Sequence, residues 1–110
     1  MEKKSLSDRE MSQLLSCSLS EYCDLEGKCL AVLSHDESII QACRSATSQS
    51  GTSVLALDPE DLLHVQKRRL NEMKCEYIAY SGECYEIVWE LFNDGSTLLH
   101  TSLNIDEILK

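Results

Sequence analysis

The sequence predicts an α/β fold, a small three-layer α/β/α domain around a mainly parallel sheet. Three observations carry this. Short, continuously apolar runs at 29–33, 52–57 and 75–80 have strand length and little alternation, the pattern of strands covered on both faces. Stretches of helical periodicity separate these runs, so successive strands are joined by crossovers and run parallel. The 110 residues are too few for two self-sufficient cores, so one domain is expected over 1–110.

The elements follow in order. Ser7-Asp8-Arg9-Glu10 is a capping box, in which the serine hydroxyl and the glutamate satisfy each other's backbone N–H groups. Met11, Leu14, Leu15, Ser18, Leu19 and Tyr22 then recur at helical spacing, and Asp24-Leu25-Glu26-Gly27 ends the helix. Cys29-Leu30-Ala31-Val32-Leu33 is the first strand. A second helix starts among the caps Ser34, Asp36 and Ser38, carries Ile39, Ile40 and Cys43 on its apolar side, and stops by Gly51. Thr52–Leu57 is the second strand. Asp58-Pro59-Glu60-Asp61 has the composition of a helix start, with a capping carboxylate, a proline at the first helical position and two acids facing the positive end of the dipole. Leu62, Leu63, Val65, Leu70 and Met73 continue that helix, and Cys75–Tyr80 forms the third strand.

Segment 83–92 supports two readings, helix plus strand or a β-hairpin. As a helix it gathers Glu83, Glu86 and Glu90 on one polar stripe, opposite Tyr85, Val88, Trp89 and Phe92. As a strand it uses its Tyr, Ile, Val, Trp and Phe well, with Asn93-Asp94-Gly95 as the turn. Thr97–Leu103 is a strand in both readings, and Asn104 caps a short terminal helix.

In an open parallel sheet, ligands gather outside the carboxyl ends of the strands. Those ends bear His35, Asp36, Asp58 and Ser81, the candidate rim residues. Asp36 and Asp58 also read as helix caps, and His35 as a solvated loop histidine. Ser81 lacks the Gly-x-Ser-x-Gly setting of a hydrolase nucleophile. His64 and His100 have no partner nearby in sequence, so the spacing supports no metal site. No Gly-x-Gly-x-x-Gly or Gly-x-x-x-x-Gly-Lys motif occurs, and no cofactor is expected.

Six cysteines lie at 17, 23, 29, 43, 75 and 84, with no Cys-x-x-Cys pair and no zinc-finger spacing. They read as reduced, mostly buried small hydrophobes. Cys23 and Cys29 flank a turn, but the acids Glu21, Asp24 and Glu26 oppose thiolate formation there. The polar start Met1-Glu2-Lys3-Lys4-Ser5 resembles no secretory signal, and no run nears the ~20 apolar residues of a membrane span. A cytoplasmic location is expected, with the nucleus as alternative.

Ten basic residues stand against nineteen acidic ones, a net charge of −9. This disfavours direct nucleic-acid binding and docking on anionic membranes. With no catalytic motif found, the expected function is a small acidic regulatory or adaptor protein that is not an enzyme and acts through a protein partner, a basic one fitting the charge best. Glu83, Glu86, Glu90 and Asp94 are its candidate contact surface. A homodimer through Met11, Leu15 and Leu19 is a second candidate interaction. The alternatives are an acidic decoy of a nucleic-acid-binding protein, and a small enzyme or metal-binding domain using the strand-end rim.

Overall fold

A computed structural model describes residues 7–48, 50–93 and 95–109. Helix α1 (Asp8–Tyr22) leads into strand β1 (Cys29–Leu33), α2 (Glu37–Ala46), β2 (Ser53–Leu57), α3 (Leu63–Glu72) and β3 (Tyr77–Tyr80). A 3-10 turn (Gly82–Cys84) then runs into α4 (Tyr85–Asn93), followed by β4 (Thr101–Asn104) and α5 (Ile105–Ile108). All four strands are parallel, in the order β2-β1-β3-β4. The three-layer α/β/α arrangement with a parallel sheet is thus as expected.

The apolar runs explain the layering. β1 is buried along its whole length, and its side chains alternate between two cores. Leu30 and Val32 join Tyr77 and Ala79 under Leu15 and Leu19 of α1, Ile40 and Cys43 of α2, and Ile105 of α5. Ala31 and Leu33 join Leu57 and Ile78 under Leu70 of α3 and Val88 and Leu91 of α4. A central strand with helices on both sides has no solvent face, so period-two polarity is absent from its sequence.

The Ser7–Glu10 capping box forms as expected, with Glu10 N–H donating to the Ser7 hydroxyl at 3.2 Å and Ser7 N–H donating to Glu10 at 3.0 Å. Leu15 and Leu19 are buried in the chain's own core against α2 and the sheet. Two of the three residues offered as a dimer surface therefore face the chain's own core, and Met11 packs half-buried at its edge.

Four details depart from expectation. Segment 82–93 is helical, as the first of its two readings had it, and the hairpin alternative fails because Val88 and Leu91, one helical turn apart, both reach the α3-side core. Its apolar face is rotated from the expected one, leaving Tyr85 and Trp89 about half exposed (56% and 55%). Helix α3 begins at Leu63, and Asp58–Asp61 is instead a tight turn. In that turn Asp61 N–H donates to Asp58 O (3.0 Å) and Glu60 N–H to the Asp58 carboxylate (2.9 Å). β3 starts at Tyr77 rather than Cys75, where its pairing to Leu30 of β1 begins. β4 covers 101–104 rather than the expected 97–103, matching the four residues of β3 with which it pairs.

Candidate functional site

The chain leaves β1 toward the face carrying α1 and α2. It leaves the adjacent strand β3 toward the face carrying α4. Between these strands the two exits diverge, which makes their carboxyl ends the switch point where open α/β sheets usually place a ligand crevice. The sequence placed its rim candidates there, and the structure brings three of the segments together.

Two buried serines join the chain at this switch point. Ser34 directly follows β1 and Ser81 directly follows β3, and their hydroxyl oxygens lie 2.7 Å apart. Ser81 N–H donates to Leu33 O (3.1 Å), which extends the ladder by one bond. The Ser34 hydroxyl also accepts from Asp36 N–H at 3.0 Å. Ser81 therefore serves as a structural clamp between two strand ends. It starts the 3-10 turn without a side-chain capping bond.

His35 stands above this clamp with about half of its side chain exposed. Its Nε2 lies 2.9 Å from the Glu60 carboxylate of the β2–α3 turn, and its Nδ1 lies 3.4 Å from that of Glu83 in the 3-10 turn. One imidazole thus joins segments that follow three different strands. The hydrogen bond to Glu60 first, and that to Glu83 second, raise the His35 pKa above its ordinary value by favouring the imidazolium.

The remaining rim candidates have structural duties. Asp36 caps α2, its carboxylate accepting from Ser38 N–H at 2.9 Å. Asp58 holds its own turn and does not reach His35; the neighbouring Glu60 does. Gln66 of α3 reinforces that turn from below, its Nε2 donating to Asp58 O at 2.9 Å and to Asp61 O at 3.3 Å. On the β4 side Asp106 of α5 accepts from Gly82 N–H at 2.9 Å, and a Cβ on Gly82 would meet the Asp106 carboxylate at 2.6 Å and displace it.

Cys84 completes the rim. It is buried at the head of α4, and a ligand atom from each of His35, Glu83 and Cys84 lies within 4.8 Å of the other two. Burial first, with the charges of Glu83 and Asp106 second, pushes its thiol pKa up to about 11. Sequence reading missed Glu60, Cys84 and the Ser34 clamp. The turn signal Asp-Pro-Glu-Asp hid Glu60 among apparent helix-start acids, and no local pattern announces a contact across 48 or 25 residues.

The other cysteines follow expectation more closely. All six are free thiols; Cys29, Cys43 and Cys75 are buried, Cys23 is half-buried and Cys17 is exposed. Cys29 faces Cys75 at 2.9 Å and not Cys23. Burial, and not the neighbouring acids, pushes the Cys23 thiol up to about 11.

Of the acidic contact candidates, Glu86 and Glu90 are exposed on α4 beside Tyr85 and Trp89, Glu83 turns to His35, and Asp94 lies outside the described residues. Among the described residues no helix is long and apolar enough to cross a membrane.

At the level of sequence the chain matches no family model and no curated relative. Solved structures do match its fold. A fatty acyl CoA synthetase of Mycobacterium tuberculosis superposes with a TM-score of 0.77 at 9% identity, covering 90% of this chain and 20% of that one. The amide bond synthetase McbA of Marinactinospora thermotolerans gives 0.74 at 18%, covering 89% and 21%. The anthranilate CoA ligase AuaEII, solved with anthranoyl-AMP, gives 0.73 at 13%, covering 92% and 21%. Identities this low show the fold alone, and the chain spans about a fifth of the length of these enzymes. The expectation of a non-catalytic regulatory or adaptor protein, with the decoy as an alternative, is overturned by these neighbours: the fold is one that synthetases and ligases use as part of their structure.

Proposed function

We propose that this chain is a ligand-binding domain of the kind used by enzymes that activate carboxylates as acyl-adenylates, with its site in the crevice between β1 and β3. The observation that carries the reading is the His35 bridge, which holds the loops after β1, β2 and β3 together above a buried serine clamp. Surface loops are seldom cross-tied in this way unless their relative position matters, since each tie orders long side chains at an entropic cost. The kinship in fold with synthetases and with a ligase solved around anthranoyl-AMP supports the ligand class.

The chain's own residues define what the crevice does. Both ring nitrogens of His35 are engaged by Glu60 and Glu83, so it acts as a positively charged tie that sets the spacing of the three loops, and the raised pKa keeps it protonated further toward neutral pH. Glu60, Glu83 and Asp106 make the rim acidic, which disfavours a bare phosphate and suits a neutral or cation-neutralised ligand. The chain spans about a fifth of the length of its fold neighbours, and the activity proposed for these residues is ligand binding.

A thermal-shift series tests this. The chain is heated alone, with AMP, with coenzyme A, and with a non-hydrolysable acyl-sulfamoyl analogue of acyl-AMP. Ligand binding to the folded state raises Tm in proportion to the logarithm of ligand over Kd, so the analogue should give a saturable rise that H35A reduces. No rise with any of the three ligands would sink the proposal.

A further inference from the structure

We propose that His35, Glu83 and Cys84 form a binding site for a zinc-class divalent cation, with Glu60 orienting the histidine. It shares the rim just described and rests on that reading only for what the ion would serve; the donor geometry stands by itself.

The donors are one nitrogen, one carboxylate oxygen and one sulfur, mutually within 4.8 Å. Tetrahedral coordination at bond lengths of ~2.0–2.3 Å needs donors roughly 3.3–3.8 Å apart, so a side-chain adjustment of about 1 Å closes the set. Imidazole and thiolate donors select zinc-like ions over magnesium and calcium, which prefer oxygen alone. The tautomer is also provided for. Nδ1 faces Glu83 at 3.4 Å and Nε2 lies 2.9 Å from Glu60. With the ion on Nδ1, the Nε2–H donates to the Glu60 carboxylate, the arrangement that commonly fixes a metal-bound histidine and strengthens it as a ligand.

Three protein donors leave a fourth position open to water or substrate, as in catalytic rather than structural zinc sites. The acidic rim draws cations to the crevice. Coordination converts the Cys84 thiol to a thiolate and releases its proton to solvent, and the His35 imidazolium gives up its Nδ1 proton in the same step. Because binding releases these protons, affinity rises with pH.

The experiment titrates metal-free protein with Co²⁺, followed by optical spectroscopy and displacement with Zn²⁺. One equivalent should produce an intense near-ultraviolet thiolate-to-cobalt band that Zn²⁺ abolishes. E60Q should keep the band and weaken affinity about 10–100-fold, the usual effect of losing a histidine-orienting carboxylate. A C17S/C23S double variant should leave the band unchanged, and C84S should abolish it. Since Cys84 is buried, C84S is first checked by circular dichroism; should it fail to fold, the exposed H35A decides the matter through its cobalt affinity. Absence of the band, a band that follows Cys17 or Cys23, or H35A binding cobalt as tightly as the parent chain would overturn the site. These titrations contain no nucleotide, so their failure is separate from failure of the acyl-adenylate reading.

Discussion

Replacing Ser34 by alanine should destabilise the chain more than replacing Ser81, although the two hydroxyls share one hydrogen bond. Ser34 is 3% exposed and Ser81 is 4% exposed, so neither can exchange its partner for bulk water. Ser34→Ala removes the 2.7 Å partner of Ser81 and also the acceptor of Asp36 N–H. Stranding one buried hydroxyl costs about 1–3 kcal/mol, whereas the part-buried Asp36 amide can turn to solvent at lower cost. The sum is about 2 kcal/mol, roughly 8–16 °C in Tm for a domain near this size. Ser81→Ala leaves Ser34 still accepting from Asp36 and should cost about 1 kcal/mol. The double variant should then cost less than the two singles together, by about 1 kcal/mol of coupling. Urea unfolding followed by far-ultraviolet circular dichroism measures all four corners of the cycle. Additivity within ~0.3 kcal/mol, or a costlier Ser81→Ala, would refute the clamp. The same cycle connects stability to the site, because the clamp fixes the loops that carry His35 and Glu83.

Two further outcomes are expected. Leu15→Ala should cost about 2–5 kcal/mol, the range for a fully buried leucine that leaves a cavity, with no change of mass in solution; a small cost accompanied by loss of a dimer would return α1 to the role of an interface. His35 should titrate above its ordinary value because of Glu60 first and Glu83 second. Its stabilising share is therefore fully present below the unfolded-state pKa of ~6.5 and disappears as pH rises through the higher folded value. Nuclear magnetic resonance titration should show the midpoint falling in E60Q and falling less in E83Q. Added salt should shrink both effects at this exposed pair, and a midpoint indifferent to Glu60 would dissolve the bridge.

What the sequence made legible was whatever is decided locally or by burial on two faces. β1 falls on Cys29–Leu33 as expected, since a strand buried all along writes an unbroken apolar run. The caps Ser7, Asp36 and Asn104 are satisfied within three residues, so composition reveals them. Asp58-Pro59-Glu60-Asp61 misled because a proline turn and a helix start share the same chemistry over four residues. The choice belongs to Gln66, one helical turn later, whose fully buried amide holds two carbonyls of the turn and thereby delays the helix to Leu63. Trp89 misled in the opposite sense: its side chain is the largest apolar body on α4, yet Cys84, Val88 and Leu91 face the core and leave it outside. A helix presents one stripe, and which stripe faces inward depends on the partner surface.

The site is the extreme case of that dependence. His35, Glu60, Glu83 and Cys84 are unremarkable apart; they meet because β1 lies between β2 and β3, a strand order that no local pattern encodes. Had β3 paired with the outer edge of β2, the turn carrying Glu60 would have separated His35 from Glu83, and no crevice would have opened between their strands. Strand order therefore decides the chemistry available at this rim. A substitution that tests the rim has to be read against one that tests the order, such as the Ser34–Ser81 cycle across β1 and β3.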